Sequence, residues 1–156
     1  MIKITETSNH LLLAALNKEV QALHHTLYPK VFKPYDKESV SGFFKEALNN
    51  KNAKAFIAVN GEQAVGYTLL FEEHVKENPF QYQRTYLLLD QLLVTKEMRG
   101  KGIAKLLMDT AINYAKAKNI TTVELNHWTL NNDARVFFQK NGFKYHNEKM
   151  HLEINM

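Results

Sequence analysis

Apolar positions along the chain recur with two periods, and the places where one gives way to the other outline the elements. Ile2 to Thr5 alternates as a short strand. Ser8 or Asn9 can cap the helix that follows, whose stripe is Leu12, Leu16, Val20, Leu23 and Leu27, and Pro29 ends it. Asp36 opens a second helix with Val40, Phe43, Phe44, Ala47 and Leu48 on one face, and the aromatic-rich loop Tyr28 to Tyr35 separates the two. Ala53 to Val59 and Gln63 to Val75 read as antiparallel strands joined at Asn60-Gly61, a dipeptide suited to a tight hairpin turn. Arg84 to Thr95 is a third long strand. Ile103, Leu106, Leu107, Ala111 and Tyr114 then mark a helix, Thr121 to Trp128 a strand, and Asn132 to Asn141 a short helix stopped by Gly142. Met150, Leu152 and Ile154 alternate with Lys149, His151 and Glu153, which predicts a half-buried closing strand. The sum is an α/β protein with a mixed sheet and helices on its faces.

Composition narrows this picture. With 156 residues, 45% of them hydrophobic, the chain can bury roughly 70% of the surface it exposes when unfolded. No linker, repeat or low-complexity tract interrupts it, so a single domain over residues 1–156 is expected. The apolar runs are too short to cross a membrane, and an N-terminus carrying Glu6 does not read as an export signal. A cytoplasmic protein without a membrane partner is expected. The absence of cysteine excludes disulfides, thiolate metal ligands and a covalent cysteine intermediate. Seven histidines show no metal-ligand spacing, and His24 and His25 diverge on a helix, so no metal is expected. Net charge +4 favours anionic partners, but no helix is dense in Arg and Lys, so nucleic acid is not expected among them.

The charge gains meaning from where it sits. Leu92, Leu93 and Val94 end an apolar strand that turns through Gly100 and Gly102 into the helix beginning Ile103-Ala104-Lys105. The first N–H groups of a helix lack partners inside it, and glycines let a ligand approach the backbone. With Lys96, Arg99, Lys101 and Lys105 crowding the same turn, the segment suits a pyrophosphate. It is not a dinucleotide fingerprint, since Lys105 stands where a third glycine is needed. Nor is it a P-loop, since Gly100-Lys101 is followed by Gly102.

The run Arg99-x-x-Gly102-x-Ala104 resembles the acetyl-CoA signature of the GNAT superfamily of N-acetyltransferases, Arg/Gln-x-x-Gly-x-Gly/Ala. A second signature of that family, Asn-x-x-Ala-x-x-x-Tyr-x-x-x-Gly-Phe, is similar to Asn131, Ala134, Gly142 and Phe143, with Phe138 where tyrosine is usual. The resemblance implies a mostly antiparallel sheet of six to seven strands with about four helices, and acetyl-CoA as co-substrate. It implies that the pyrophosphate lies on the N–H groups of Arg99, Gly100, Lys101, Gly102, Ile103 and Ala104, with charge from Lys105. The pantetheine arm would run along Leu92 to Val94, meeting Asn131, Phe137 and Phe138.

Acetyl transfer needs a neutral amine, and an amine of pKa about 10.4 resists deprotonation at pH 7 by about 4.6 kcal/mol. Asp90 is the first candidate base: strand alternation places it with Leu88 and Leu92, among apolar neighbours that raise a carboxyl pKa. Glu72 and Glu73 are rivals, one of which must face away. The Leu93 N–H is the simplest donor to an oxyanion. The resemblance assigns the acceptor side to Tyr28, Phe32 and Tyr35, faced by His127 and Trp128, with Glu72 near by. A primary amine of a small molecule or peptide is the implied acceptor; a monomer and a homodimer both stay open. Because Phe138 removes the usual proton donor to the departing thiolate, Tyr145, Tyr114 and His127 are alternative donors. The same departure leaves a noncatalytic acyl-CoA binding module as the second reading.

Overall fold

The computed structural model describes all residues, 1–156, and the chain packs as two compact units, residues 1–126 and 127–156. In the first unit a five-stranded sheet runs in chain order: β1 (Ile2–Glu6), β2 (Ala53–Asn60), β3 (Gln63–Val75), β4 (Arg84–Val94) and β5 (Val123–Glu124). The first four strands pair antiparallel and β5 joins β4 parallel. The mixed, mostly antiparallel architecture is as the sequence predicts. The strand count is lower.

Helices α1 (His10–Leu27) and α2 (Lys37–Asn49) cover one face of this sheet, and α3 (Ile103–Ala117) covers the other. Local chemistry sets their starts: Asn9 Oδ1 accepts the Leu12 N–H at 3.0 Å and Asp36 Oδ2 the Ser39 N–H at 2.9 Å, each cap contributing about 1 kcal/mol. The α1–α2 face buries Leu13, Leu16, Phe44, Ile57, Tyr67, Leu69 and Leu93, while Val65, Val94, Ile103 and Leu107 pack beneath α3. The buried face of α1 is therefore Leu13, Leu16 and Asn17 rather than a stripe through Leu23, which is exposed. A polar residue, Asn17, occupies a core position.

Strands β3 and β4 close tightly at Gly66, where a Cβ would stand 2.6 Å from the Leu93 carbonyl oxygen. The hairpin loop between β2 and β3 is Gly61-Glu62, since Asn60 still pairs with Gln63. In the second unit, α4 (Asn132–Lys140) is the one regular element. The closing strand expected at 150–154 is not formed: Met150, Leu152 and Ile154 are exposed, and β5 is two residues long instead of spanning Thr121 to Trp128. Alternation gives a segment two faces, but a strand also needs a neighbour to complete its ladder. No helix is long and apolar enough to cross a membrane.

Candidate active site

The functional centre of β4 is a break in its pairing. Leu69 lies opposite Gln91 and Leu70 opposite Leu89, so Asp90 is the extra residue of a β-bulge. The bulge resets the side-chain alternation. Leu89 faces α3, Gln91 and Leu93 face α1, and Asp90 lies with Gln91 and Glu73 on the α1 side. Leu88 is thus on the same face as Asp90 but Leu92 is not, which corrects the grouping that simple alternation implies. Thr68 Oγ1 donates to the Gln91 carbonyl at 2.9 Å beside the bulge.

Asp90 keeps an exposed edge, yet crowding by protein removes enough solvation to raise its pKa above the ordinary carboxylate value. An N–H from the Gln91 side chain works against that rise, and the charge of Glu73 adds to it. Gln91 is itself held from below. Tyr67, fully buried, donates its hydroxyl to Gln91 Oε1 at 2.5 Å and accepts from Asn17 Nδ2 at 2.9 Å; Asn17 Nδ2 also lies 3.4 Å from Gln91 Oε1.

The adjacent acids diverge. Glu72 faces α3, where it accepts from Tyr114 Oη at 2.6 Å and lies 3.4 Å from Lys118 Nζ. The tyrosine hydroxyl holds its carboxyl below the ordinary value, with Lys118 assisting. This removes Glu72 from the acceptor side and takes Tyr114 out of the set of proton donors, since both are committed beneath the sheet. Glu73, opposite Tyr86, is the acid that shares a face with Asp90.

Beyond the bulge, β4 offers backbone. Thr95 donates its N–H to the Val65 carbonyl at 2.9 Å, and the register runs regularly from Gly66–Val94 through Tyr67–Leu93 and Thr68–Leu92. Bonded and non-bonded pairs alternate in an antiparallel ladder, so Leu93 turns its N–H to β3 while Leu92 and Val94 turn theirs to the opposite side. The Val94 carbonyl agrees, accepting Arg99 Nε at 3.0 Å. Because β5 pairs only with Leu87 and Leu88, no strand lies along that edge at Leu92 to Val94. The donor available to a ligand is therefore the Leu92 or Val94 N–H, and Leu93 is excluded by its own ladder.

After a single 3-10 turn, Lys96–Met98, the chain enters α3 through Gly100 and Gly102 at φ 74° and 79°, a left-handed backbone that glycine adopts without strain. A Cβ at either would meet nothing within 4 Å, so conformation rather than space demands glycine here. Gly102 caps α3 with no side-chain hydrogen bond, and the first turn holds no acid, which leaves the N–H groups of Ile103, Ala104 and Lys105 to an anion. Arg99 is less available: besides Val94 it reaches Glu19 of α1 at 3.4 Å, and the same Glu19 oxygen accepts the Lys96 N–H at 3.0 Å. Lys105 pairs with Asp109 at 2.7 Å, and Lys101 Nζ rests 3.6 Å from the Met98 sulfur.

The α1–α2 connection is strapped to α1. His25 Nδ1–H donates to the Phe32 carbonyl at 2.7 Å, Gln21 Nε2 to that of Lys33 at 2.7 Å, and Tyr35 Oη to that of Ala14 at 2.8 Å. Tyr35 is thereby a strut. Phe32 stacks obliquely on His24 at 4.7 Å and meets Tyr28 at 6.3 Å, forming an aromatic group in which burial lowers the His24 pKa.

Within the second unit, Asn131 caps α4 through Oδ1, which accepts the Ala134 N–H at 3.3 Å. Gly142, at φ 90°, ends the helix as Phe143 N–H returns to the Phe138 carbonyl at 3.0 Å. Phe138 is buried edge-on between Phe137 and Phe143, at 5.2 and 5.5 Å. His127 Nε2 lies 3.4 Å from Tyr145 Oη, and the Trp128 carbonyl accepts the Asn131 N–H at 2.8 Å.

The family model described as the acetyltransferase (GNAT) family matches residues 17–143, from α1 past Phe138 to the end of the second motif. The chain belongs to the GNAT acetyltransferase family. Mouse N-acetyltransferase 8B is 34% identical over 100 residues, 64% of this GNAT chain and 41% of the mouse protein, so the chain aligns with less than half of that relative's length. The tetramutant of the BH1408 protein from Bacillus halodurans has the same fold, with a TM-score of 0.90 at 21% identity over 99% of each chain. The aminoglycoside N-acetyltransferase AAC(6')-Iy, solved with CoA, matches with a TM-score of 0.73 at 17% identity, covering 100% of this chain and 96% of its own.

In this GNAT chain the residues that sequence reasoning missed are Asn17, Glu19, Tyr67 and Gln91. Only Asn17 left a signal, as a polar residue one turn from Leu13 on an otherwise apolar helix face.

Proposed function

We propose that the protein transfers an acetyl group from acetyl-CoA to a primary amine of a small molecule or peptide, by direct attack with both substrates bound. The observation that carries this reading is one continuous segment, residues 89–105. It holds in sequence a bulged carboxylate of raised pKa, the outward backbone N–H groups of Leu92 and Val94, and a glycine turn opening a helix that has no acid in its first turn. Each part suits one need of the reaction.

The thioester of acetyl-CoA supplies the activated acetyl group. The N–H groups of Ile103 to Lys105 hold its pyrophosphate, and the outer edge of β4 at Leu92 to Val94 holds the arm as an added strand would. Leu92 N–H, nearest the bulge, donates to the carbonyl oxygen as negative charge builds there. Asp90 takes a proton from the substrate ammonium so that the neutral amine can attack, and its raised pKa makes it a better base for that task than a solvated carboxylate. Tyr28 and Phe32 enter by family resemblance, on the acceptor side. With Phe138 lacking a hydroxyl, the leaving thiolate, of pKa about 8.5, takes its proton from water. A single domain acting in the cytoplasm is part of the same proposal.

The test mixes protein and acetyl-CoA with a polyamine, an aminoglycoside and a peptide bearing a free α-amine, and follows free thiol. Amine-dependent thiol release is expected. Calorimetric binding of CoA without release from any of the three would overturn transfer and leave the acyl-CoA binding module that Phe138 favours.

A further inference from the structure

Three polar side chains, Asn17, Tyr67 and Gln91, cross the core cluster of Leu13, Leu16, Phe44, Leu69 and Leu93 and end at Asp90. Leucine and phenylalanine would fill the two inner positions without desolvating anything, so the polar groups call for an explanation. Their bonds run in one direction. Tyr67 has a single hydroxyl proton, and because its oxygen accepts from Asn17 Nδ2, that proton goes to Gln91 Oε1. The carbonyl end of the Gln91 amide is thereby fixed inward, which leaves the NH2 end as the one open to Asp90, its neighbour in the bulge and a hydrogen-bond partner. Resting on the reading of Asp90 as the base, we propose that Asn17, Tyr67 and Gln91 are positioning residues: a directional buried chain that aims one N–H at the Asp90 carboxylate and sets the pH at which the site works.

Each bond polarises the next in a low-dielectric setting, so the final N–H binds the carboxylate more firmly than a lone glutamine would. The chain therefore favours the ionised form of Asp90 and limits the rise that burial and Glu73 impose. The groups that act on Asp90 are Glu73 of β3 and Gln91 of β4, and the charge of Asp90 in turn reaches Tyr67 of β3. Arg84 and Glu124, nearer the start of β4, neutralise each other at 2.5 Å.

Gln91→Glu is the informative variant. A carboxylate at 91 still accepts from Tyr67 and Asn17 but replaces the N–H beside Asp90 with a charge. Aspartate-selective 13C labelling, with Asp90 assigned from Asp90→Asn, reads its titration midpoint in the substrate-free protein. The midpoint should move up in Gln91→Glu, and by less in Tyr67→Phe, which frees the glutamine amide to turn. On an amine substrate, the acid limb of kcat/KM should follow by about one pH unit in Gln91→Glu, a tenfold loss well below the midpoint, with KM for acetyl-CoA unchanged. Tyr67→Phe removes one oxygen and answers the question if Gln91→Glu does not fold. A midpoint that stays at the wild-type position in the folded variants overturns the proposal. Full activity in Asp90→Asn would instead overturn Asp90 as base, an outcome the titration keeps distinct.

Discussion

Two tyrosines reach polar side chains on opposite faces of the same sheet, and their partners have opposite fates. Beneath α3, Tyr114 donates to Glu72 with Lys118 alongside, so the carboxylate has a hydrogen bond and a countercharge and is held below its ordinary pKa. Beneath α1, Tyr67 donates to an amide, and at the carboxylate beyond it, Asp90, a poorly solvated surround and a second acid raise the pKa against the one N–H that lowers it. The first arrangement stabilises a carboxylate charge and the second disfavours one. The two sites differ in surroundings as well as in partners: loss of solvation leads at Asp90, and the Tyr114 hydroxyl leads at Glu72.

The largest effect should come from removing the two acids in turn. Asp90→Asn is expected to lower kcat by about 10² to 10⁴, the usual worth of a general base, while Glu72→Gln stays within about threefold of wild type. Steady-state rates with any amine turned over will decide it. Equal losses would mean that the two faces do not differ in function, and the contrast would fail.

Much of this was legible locally and the decisive part was not. The glycine turn, the caps at Asn9 and Asp36, and the stop at Gly142 rest on residues a few positions apart, so pattern alone locates them. The bulge depends on which β3 residue sits opposite Asp90, and that register is a fact about two strands. Once it is known, three things change together: Glu73 replaces Glu72 beside Asp90, Leu92 leaves that face, and Gln91 turns inward to Tyr67. The choice of Leu92 over Leu93 as donor has the same origin, since a backbone N–H points by its place in the ladder. Asn17 hid for another reason. It is a polar residue in a core position, which hydrophobic periodicity passes over. The segment 150–154 is the converse, a strand pattern without a partner strand.

A smaller effect separates the two hydroxyls. Tyr67→Phe and Tyr114→Phe each delete one hydrogen bond in chemical denaturation, at about 1 kcal/mol or somewhat more. The first should cost more, because it leaves the Asn17 amide and the Gln91 carbonyl only their long 3.4 Å bond in the core, whereas Glu72 retains Lys118. Only Tyr67→Phe should also alter the pH profile of turnover. A greater loss of stability from Tyr114→Phe would show that the network beneath α1 carries less strain when broken than the geometry implies.

The smallest effect is the most discriminating, because its sign differs between the two acids. Glu72 has a folded pKa below its unfolded value, so it contributes stability that is present above the unfolded value and is lost as pH falls through the folded one. Asp90 has a folded pKa above its unfolded value, so its contribution is complete below the unfolded value and is lost as pH rises through the folded one. Relative to wild type, Tyr114→Phe should therefore be least stable near neutral pH and recover on acidification. Asp90→Asn should behave oppositely, gaining on wild type as pH rises from about 4 to 7, since the variant no longer holds an under-solvated charge. Thermal unfolding of the three proteins across that range measures both slopes. Slopes of the same sign would mean that the Asp90 carboxylate is as well satisfied as Glu72, and a base so comfortable in its ionised form would have little to offer an ammonium.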